Sequence, residues 1–451
     1  MQIKTLLILV ATICTVFLLA FTMDRVTKIT DLLDIEKRIR SPIRLTSEDD
    51  SYATSNKMGQ VHTVTKDEVI QRMMENMGIK DVDSKVSEKD IESANTVSDM
   101  NLFVRENSER DHWEDGTSLY LYQNCQMADD VPRDEVEPFD ESRFDVTLVT
   151  TGSMVRSIVM PIVASRWNGP IVFVMYLKEE ELDGFNSFLQ QKNSSILCHD
   201  RIRIYSYVVS EGTFFYKNFP INILRNIGIH HVRTSHFLML DIDMWMSENS
   251  YERILALPPE IKNDPKTAVV VPAFFHTGWS IFNGTFQEQL QSVLHRIPFS
   301  MQDLIQCNNK RKCSNVKKHL FTHYYTPDSW LHDKRKGIYT PYYNITCWKN
   351  PYQEPYLIVH RDDNMTRFHE GFINYGYNKI SYVETLRLGG YRFVLGGDFY
   401  AFDLPHLPSR FQKQHVSSKL SKSYMTNYYY MQKVRKRFHG TVVTTPLCKK
   451  K

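Results

Sequence analysis

His236-Phe-Leu-Met-Leu-Asp-Ile-Asp-Met-Trp-Met246 governs how the rest of the chain is read. Phe237 to Leu240 is a short apolar run that suits a strand buried on both faces. It ends in Asp241 and Asp243, two residues apart, which an extended chain points to the same side. Two like charges at the mouth of an apolar strand repel each other and lose hydration. A positive group belongs between them, and a hard divalent cation with oxygen ligands meets that need. Taken alone, the pair also fits a solvated strand end or a helix cap at Asp243. An EF-hand loop does not fit: Trp245 would occupy its fifth position and Met246 the glycine of its sharp turn.

Strands and helices alternate upstream of that run. Asp145 to Thr150 is a β-branched stretch ending in the loop Thr151-Gly152-Ser153, and helical spacing follows through Ile158 and Val163 to Trp167. Gly169-Pro170 breaks it before a second apolar strand, Ile171 to Leu177. A helix is expected over Glu179 to Gln191, a third strand over Ile202 to Val209, and a helix over Ile221 to His230. This alternation predicts an α/β fold with a mostly parallel central sheet. In such folds ligands bind beyond the carboxyl ends of the strands, where both Thr150-Thr151 and Asp241/Asp243 fall. Further strands are expected at Ala268 to Pro272, Tyr356 to Val359 and Tyr391 to Leu395.

The 451 residues are 42% hydrophobic and 24% charged with net charge +3, a globular balance that gives no argument for nucleic-acid binding. Thr5 to Met23 is almost wholly apolar and long enough to cross a bilayer, so it is read as a transmembrane signal anchor behind a cytoplasmic tail of residues 1–4. Residues 24–142 are polar and read as a stem, with a weak helical seam between Val26 and Ile39 that would allow a homodimer. Residues 143–435 form the folded domain, and 436–451 a basic tail. Four glycosylation sequons, at Asn193, Asn283, Asn344 and Asn364, argue for a luminal body. Cys307 and Cys313 bracket the basic loop Asn308 to Lys312 and would close a small disulfide ring in an oxidising lumen.

Several ordered stretches resemble the LARGE-type glucuronyltransferase domain, glycosyltransferase family 49. They are Phe219-Pro-Ile-Asn-Ile-Leu-Arg-Asn-Ile-Gly-Ile229, then Phe237 to Met244, and Asp145 to Thr150 with Ser153 and Arg156. Ala268-Val-Val-Val-Pro-Ala-Phe274, Gly376-Tyr-Asn-Lys379 and Leu404-Pro-His-Leu-Pro-Ser409 complete the set. The resemblance implies a GT-A fold, a UDP-sugar donor, Mn²⁺, an inverting reaction on a glycan acceptor, and a Golgi single-pass type II membrane protein. It maps Asp241 and Asp243 onto the Asp-x-Asp motif and Arg225 and Asn226 onto an Arg-Asn pair. Thr150, Thr151 and Arg156 then lie beside the donor. Where relatives carry a late-strand histidine expected to complete the metal site, this chain has Asp403, with His406 three residues on; either is a candidate ligand.

Inversion in one step needs a base for the acceptor hydroxyl. Glu370 is the first candidate, with His369 and Asp362 behind it. Trp279, Tyr375 and Tyr377 are candidates to stack on acceptor sugars or, equally, to fill the core. Donor choice rests on a few pocket contacts, so glucuronic acid leads, with UDP-GlcNAc and UDP-xylose as alternatives. A damaged metal site at Asp403 would instead leave a non-catalytic sugar-binding or scaffold protein.

Overall fold

The computed structural model describes residues 51–55, 61–65, 116–132, 136, 138–277, 284–316, 321–362, 366–374, 376–404, 431, 435–436, 438 and 442–449. The chain divides into two compact units, 1–97 and 98–451. In the first, Ser51–Ser55 and Val61–Thr65 pair as an antiparallel hairpin. The expected anchor and most of the expected stem lie outside the described residues. Among the described residues, no helix is long and apolar enough to cross a membrane.

The second unit is built on strands β1 (Thr117–Gln123), β2 (Gln126–Asp130), β3 (Val146–Ser153), β4 (Ile171–Lys178), β5 (Ile202–Val209), β6 (His236–Asp241), β7 (Met244–Met246), β8 (Thr267–Val271) and β9 (Ala273–His276). Then come β10 (Cys313–Ser314), β11 (Tyr342–Asn344), β12 (Tyr356–His360), β13 (Arg392–Gly396) and β14 (Ala401–Asp403). The helices that position the site are α1 (Met160–Ser165), α2 (Leu182–Leu189), α3 (Ile221–His230), α4 (Phe286–Val293), α5 (Met301–Asn309) and α6 (Asn378–Leu388).

Ten strands form one sheet in the order β11-β13-β8-β12-β6-β3-β4-β5-β1-β2. The expected block is present: β6, β3, β4 and β5 are neighbours and parallel. Three of its strands are rich in β-branched and aromatic residues and β6 in Leu and Met, and all four are buried along nearly their whole length, as expected for strands covered on both faces. The sheet as a whole is mixed rather than mostly parallel. Of its nine neighbouring pairs four are parallel, with β8 and β13 the fourth, and five are antiparallel. The antiparallel pairs join one hairpin and four pairs of strands far apart in the chain, which strand–helix alternation does not report. One is β12, inserted between β6 and β8. Another is β1, from the stretch read as stem, where Leu119 and Tyr122 are buried in the core.

In the parallel block the first strand in sequence, β3, has β4 on one side and β6 on the other. The chain order therefore reverses between β3 and β6, the place where open α/β sheets bind ligands. Beyond that end lies a second sheet, β10-β9-β14-β7. Three of its strands directly continue strands of the large sheet: β6 runs on into β7, β8 into β9 across Pro272, and β13 into β14. Asp241 and Asp243 occupy the joint between the two sheets.

Helix α3 packs on the block through Gly228, where an added Cβ would meet Val149 Cγ1 at 2.4 Å and Val174 Cγ2 at 3.2 Å. Disulfides join Cys125 to Cys198, Cys307 to Cys313 and Cys347 to Cys448, so the small ring expected at Cys307 and Cys313 is present. The third bond ties the C-terminal segment to Trp348, whose N–H donates to Pro446. Asn193 and Asn344 are exposed; Asn283 and Asn364 lie outside the described residues.

Candidate active site

Asp241 ends β6 directly opposite Thr151 of β3, and Leu240 lies opposite Thr150. Three groups converge on its carboxylate. Arg225, on the buried face of α3, donates from Nη2 to Oδ1 at 3.1 Å. Lys379, in the first turn of α6, donates from Nζ to Oδ2 at 2.6 Å, and the Tyr356 hydroxyl at the start of β12 donates to the same oxygen at 3.0 Å. Burial works to raise the Asp241 pKa. The charges of Lys379 and then Arg225 outweigh that and the repulsion of Asp243, so it lies below the usual carboxylate value. Tyr356 is pushed well above an ordinary phenol by burial and by Asp241 and Asp243, which keeps it a hydrogen-bond donor.

Asp243 faces a different cation. Arg156 Nη2 lies 4.0 Å from its Oδ2, with the guanidinium 4.0 Å above the Phe286 ring of α4. Burial lowers the Arg156 pKa, against the opposing pull of Asp243 and Asp403. Asp403 ends β14 paired with Met244, next to Asp243, whose carbonyl accepts from Leu404 N–H at 2.8 Å. Tyr325 is buried among the same charges: burial first, then Glu354, Asp241 and Asp403, drive its pKa well up. Among the described residues, the Tyr325 hydroxyl and Thr150 Oγ1 are buried without a hydrogen-bond partner.

The second edge of the site is the loop after β12. Asn226 of α3 clamps it: its Nδ2 donates to Phe368 O at 2.8 Å and to Glu370 Oε1 at 2.9 Å, while Phe368 N–H donates to its Oδ1 at 3.0 Å. One turn earlier, Asn222 donates to His369 O at 2.8 Å and accepts from Arg225 Nη1 at 3.1 Å. His369 Nδ1 accepts from Gly371 N–H at 3.1 Å, which leaves the outer nitrogen to carry the ring proton in the neutral form. Consecutive residues of one helix thus reach Asp241 through Arg225 and Glu370 through Asn226.

The structure therefore brings together Thr150, Thr151, Arg156, Arg225, Asn226, Asp241, Asp243, Asp403, His369 and Glu370. Asp362 lies elsewhere: it faces His360, 3.7 Å away, and His360 pairs with His236 at the opposite end of β6 from Asp241. Tyr377 is buried with Phe372, Ile380 and Met431, so it fills core space rather than offering a stacking face. His406, Trp279 and Tyr375 lie outside the described residues. Lys379, Tyr356, Tyr325 and Asn222 are residues that sequence reading missed. Lys379 stands in the quoted Gly376-Tyr-Asn-Lys stretch, but nothing in that stretch tells that its ammonium meets Asp241.

The oxygen donors suit a hard cation by their chemistry. Both oxygens of Asp241 already accept from protein donors, so a cation there would displace one of them. Among the described residues, no three His, Cys, Asp or Glu side chains are grouped closely enough to hold a metal ion. Asp243 and Asp403 bring two further carboxylates to the same joint, where β14 pairs with β7.

A family model described as "Glycosyl-transferase for dystroglycan" matches residues 192–436. The chain is similar to the human "Xylosyl- and glucuronyltransferase LARGE1", 28% identical over 279 residues, covering 61% of this chain and 33% of that protein. It is also similar to the mouse "Xylosyl- and glucuronyltransferase LARGE2", 26% identical over 269 residues, covering 59% and 35%. The chain thus spans about a third of the length of the curated relatives it matches. Among solved structures, "Crystal structure of GalNAc-T7 with UDP, GalNAc and Mn2+" aligns with TM-score 0.37 and 12% identity, over 67% of this chain and 51% of that one.

Proposed function

The chain belongs to the glycosyltransferase family for dystroglycan, and from that premise we propose that it moves a sugar, foremost glucuronic acid, from a UDP-sugar to a glycan acceptor with inversion. The fold is read as GT-A type, with the nucleotide over the carboxyl ends of β3 and β6. The observation that carries the reading is the Asp241 cluster at the strand-order reversal, where a buried guanidinium, an ammonium and a phenol surround one carboxylate.

In the reaction an acceptor oxygen bonds to the anomeric carbon as the bond from that carbon to the UDP phosphate breaks. The leaving diphosphate gains negative charge, which Arg225, Lys379 and Arg156 are suited to meet by charge-assisted hydrogen bonds. Thr150, with its buried unpartnered hydroxyl, and Thr151 would line the nucleotide. Glu370 would take the acceptor proton, aimed by Asn226, with His369 beside it. Asp243 and Asp403 would hold a divalent cation of the Mn²⁺ type, with His406 as a further candidate. Asp241 would join them only as Lys379 turns toward the diphosphate. Such a cation supplies a Lewis acid for the developing phosphate charge. The apolar stretch 5–23, the polar stretch after it and the sequons favour a Golgi type II membrane protein with a luminal body, self-associating through the stem.

A second reading, xylose as the donated sugar, is favoured by the relatives' own names, which carry both activities. The test is UDP release by the purified luminal part with a panel of UDP-sugars, with and without Mn²⁺. Release with UDP-glucuronic acid, abolished by EDTA and in Asp241→Asn/Asp243→Asn, is expected. Release only with UDP-xylose would install the second reading. Silence with every donor and a range of glycan acceptors, in well-folded protein, would sink the enzyme.

A further inference from the structure

A cavity of about 640 Å³ opens beside the end of β9, within the size range of small-ligand sites. Val293, Ile297 and Pro298 are buried at its wall, while Arg296, Lys310 and Lys312 bring cationic groups to it. His276 and His295 complete the polar side, and among the described residues Asp303 is the one carboxylate lining it. That carboxylate is engaged at the start of α5, where it accepts from the N–H of Ser300 at 2.9 Å and of Phe299 at 3.3 Å. The cations act on a common space: Lys312 and Arg296 both oppose protonation of His276, whose pKa burial, first of all, brings down to about 4.

The basic loop is built rather than loose. The Cys307–Cys313 disulfide closes it, and the end of β9 pins it: Thr277 N–H donates to Lys312 O at 2.7 Å and Thr277 Oγ1 to Arg311 O at 2.7 Å. Asn308 Nδ2 adds a bond to Cys313 O at 2.8 Å. A loop fixed before binding loses less freedom on binding, so its charges count for more. The cavity is also tied to the proposed active site. Helix α4 begins at Phe286, under Arg156, and ends at Val293 in the cavity wall, a span of roughly 10 Å at 1.5 Å per residue.

We propose that this cavity is a second saccharide subsite that takes an oxyanion-bearing sugar of an extended acceptor, one or two units from the reacting end. The apolar wall faces the ring, and Arg296, Lys310 and Lys312 pair with its carboxylate or phosphate. The proposal rests on the transferase reading for the word acceptor, but its test does not use turnover. Methyl β-glucuronide, glucose 6-phosphate, inorganic phosphate and the neutral methyl β-glucoside are titrated into the protein, with the imidazole resonances of His276 and His295 followed by NMR. Both anionic sugars are expected to shift them, and Lys310→Ala/Lys312→Ala and, separately, Arg296→Gln to weaken binding at least tenfold. A preference between the two anionic sugars names the source of the charge. Equal binding of methyl β-glucoside, equal binding of bare phosphate, or unchanged affinity in both variants overturns the subsite. UDP binding, measured on the same samples, reports separately on the nucleotide reading.

Discussion

At the scale of single residues, the central fact is that Asp241 is already neutralised by the protein. Lys379 sits 2.6 Å from one oxygen and Arg225 3.1 Å from the other. A pair this enclosed loses much when one partner goes, because the remaining charge keeps its desolvation cost. Two cations share the task here, so losing one leaves the carboxylate still paired. In Lys379→Met, Asp241 Oδ2 keeps the Tyr356 hydroxyl as its donor among the described residues, and the local positive charge falls by one. Mn²⁺ binding, followed by calorimetry on the donor-free protein, is expected to tighten, while sugar transfer slows at least tenfold because the diphosphate loses a cation. Looser Mn²⁺ binding would show that Lys379 does not compete with the metal for Asp241.

At the scale of elements, α3 and β6 carry the site and also its stability. Gly228 lets α3 lie against β3 and β4, and a methyl group there would strike Val149 in the packed core. Alanine suits a helix better than glycine by about 1 kcal/mol, whereas overpacking costs about 1–3 kcal/mol. With the Cβ 2.4 Å from Val149 the steric term wins, so Gly228→Ala should lower stability by up to about 2 kcal/mol in a denaturant titration; a gain would show that α3 can lift without cost. At the other end of β6, burial and then His360 bring the His236 pKa down to about 3 from 6.5. The folded protein keeps this ring neutral where the unfolded chain binds a proton. Stability should therefore fall as pH drops from about 6.5 toward 3, by up to about 1.4 kcal/mol per pH unit. In His236→Asn the loss between pH 7 and pH 4.5 should be smaller by about 2–3 kcal/mol; urea midpoints at the two pH values measure it, and equal slopes would refute the assignment.

At the scale of the whole second unit, the C-terminal segment is part of the fold. Cys448 bonds to Cys347 across 101 residues, Thr445 Oγ1 accepts from Phe393 N–H at 3.4 Å, and the Thr445 carbonyl accepts from Arg387 at 3.4 Å. A bond closing so long a loop restricts the unfolded chain strongly, and its removal costs about 3–5 kcal/mol by loop-closure entropy. Cys347→Ser/Cys448→Ser should unfold at a clearly lower temperature while still binding UDP, since the bond lies away from Asp241. An unchanged melting temperature would mean that the segment contributes little beyond its own contacts.

Much of this was legible in the chain itself. Apolar runs of strand length, broken by helical periodicity, specify the β3 to β6 block because a strand buried on both faces needs a near-continuous apolar run. An Asp-x-Asp at the carboxyl end of such a run puts two carboxylates where α/β folds bind ligands, and the candidate site is built there. The ring from Cys307 to Cys313 was legible because the spacing is short. Local pattern carries no information on which distant strand fills an open edge, so the insertion of β12, and with it Tyr356 beside Asp241, was decided by tertiary pairing. The same holds for Lys379, whose long side chain reaches Asp241 across 138 positions, and for the four-stranded sheet that sets Asp403 beside Asp243. Burial of like charges at one joint demanded positive partners; which residues supply them was decided only where the folded backbones meet.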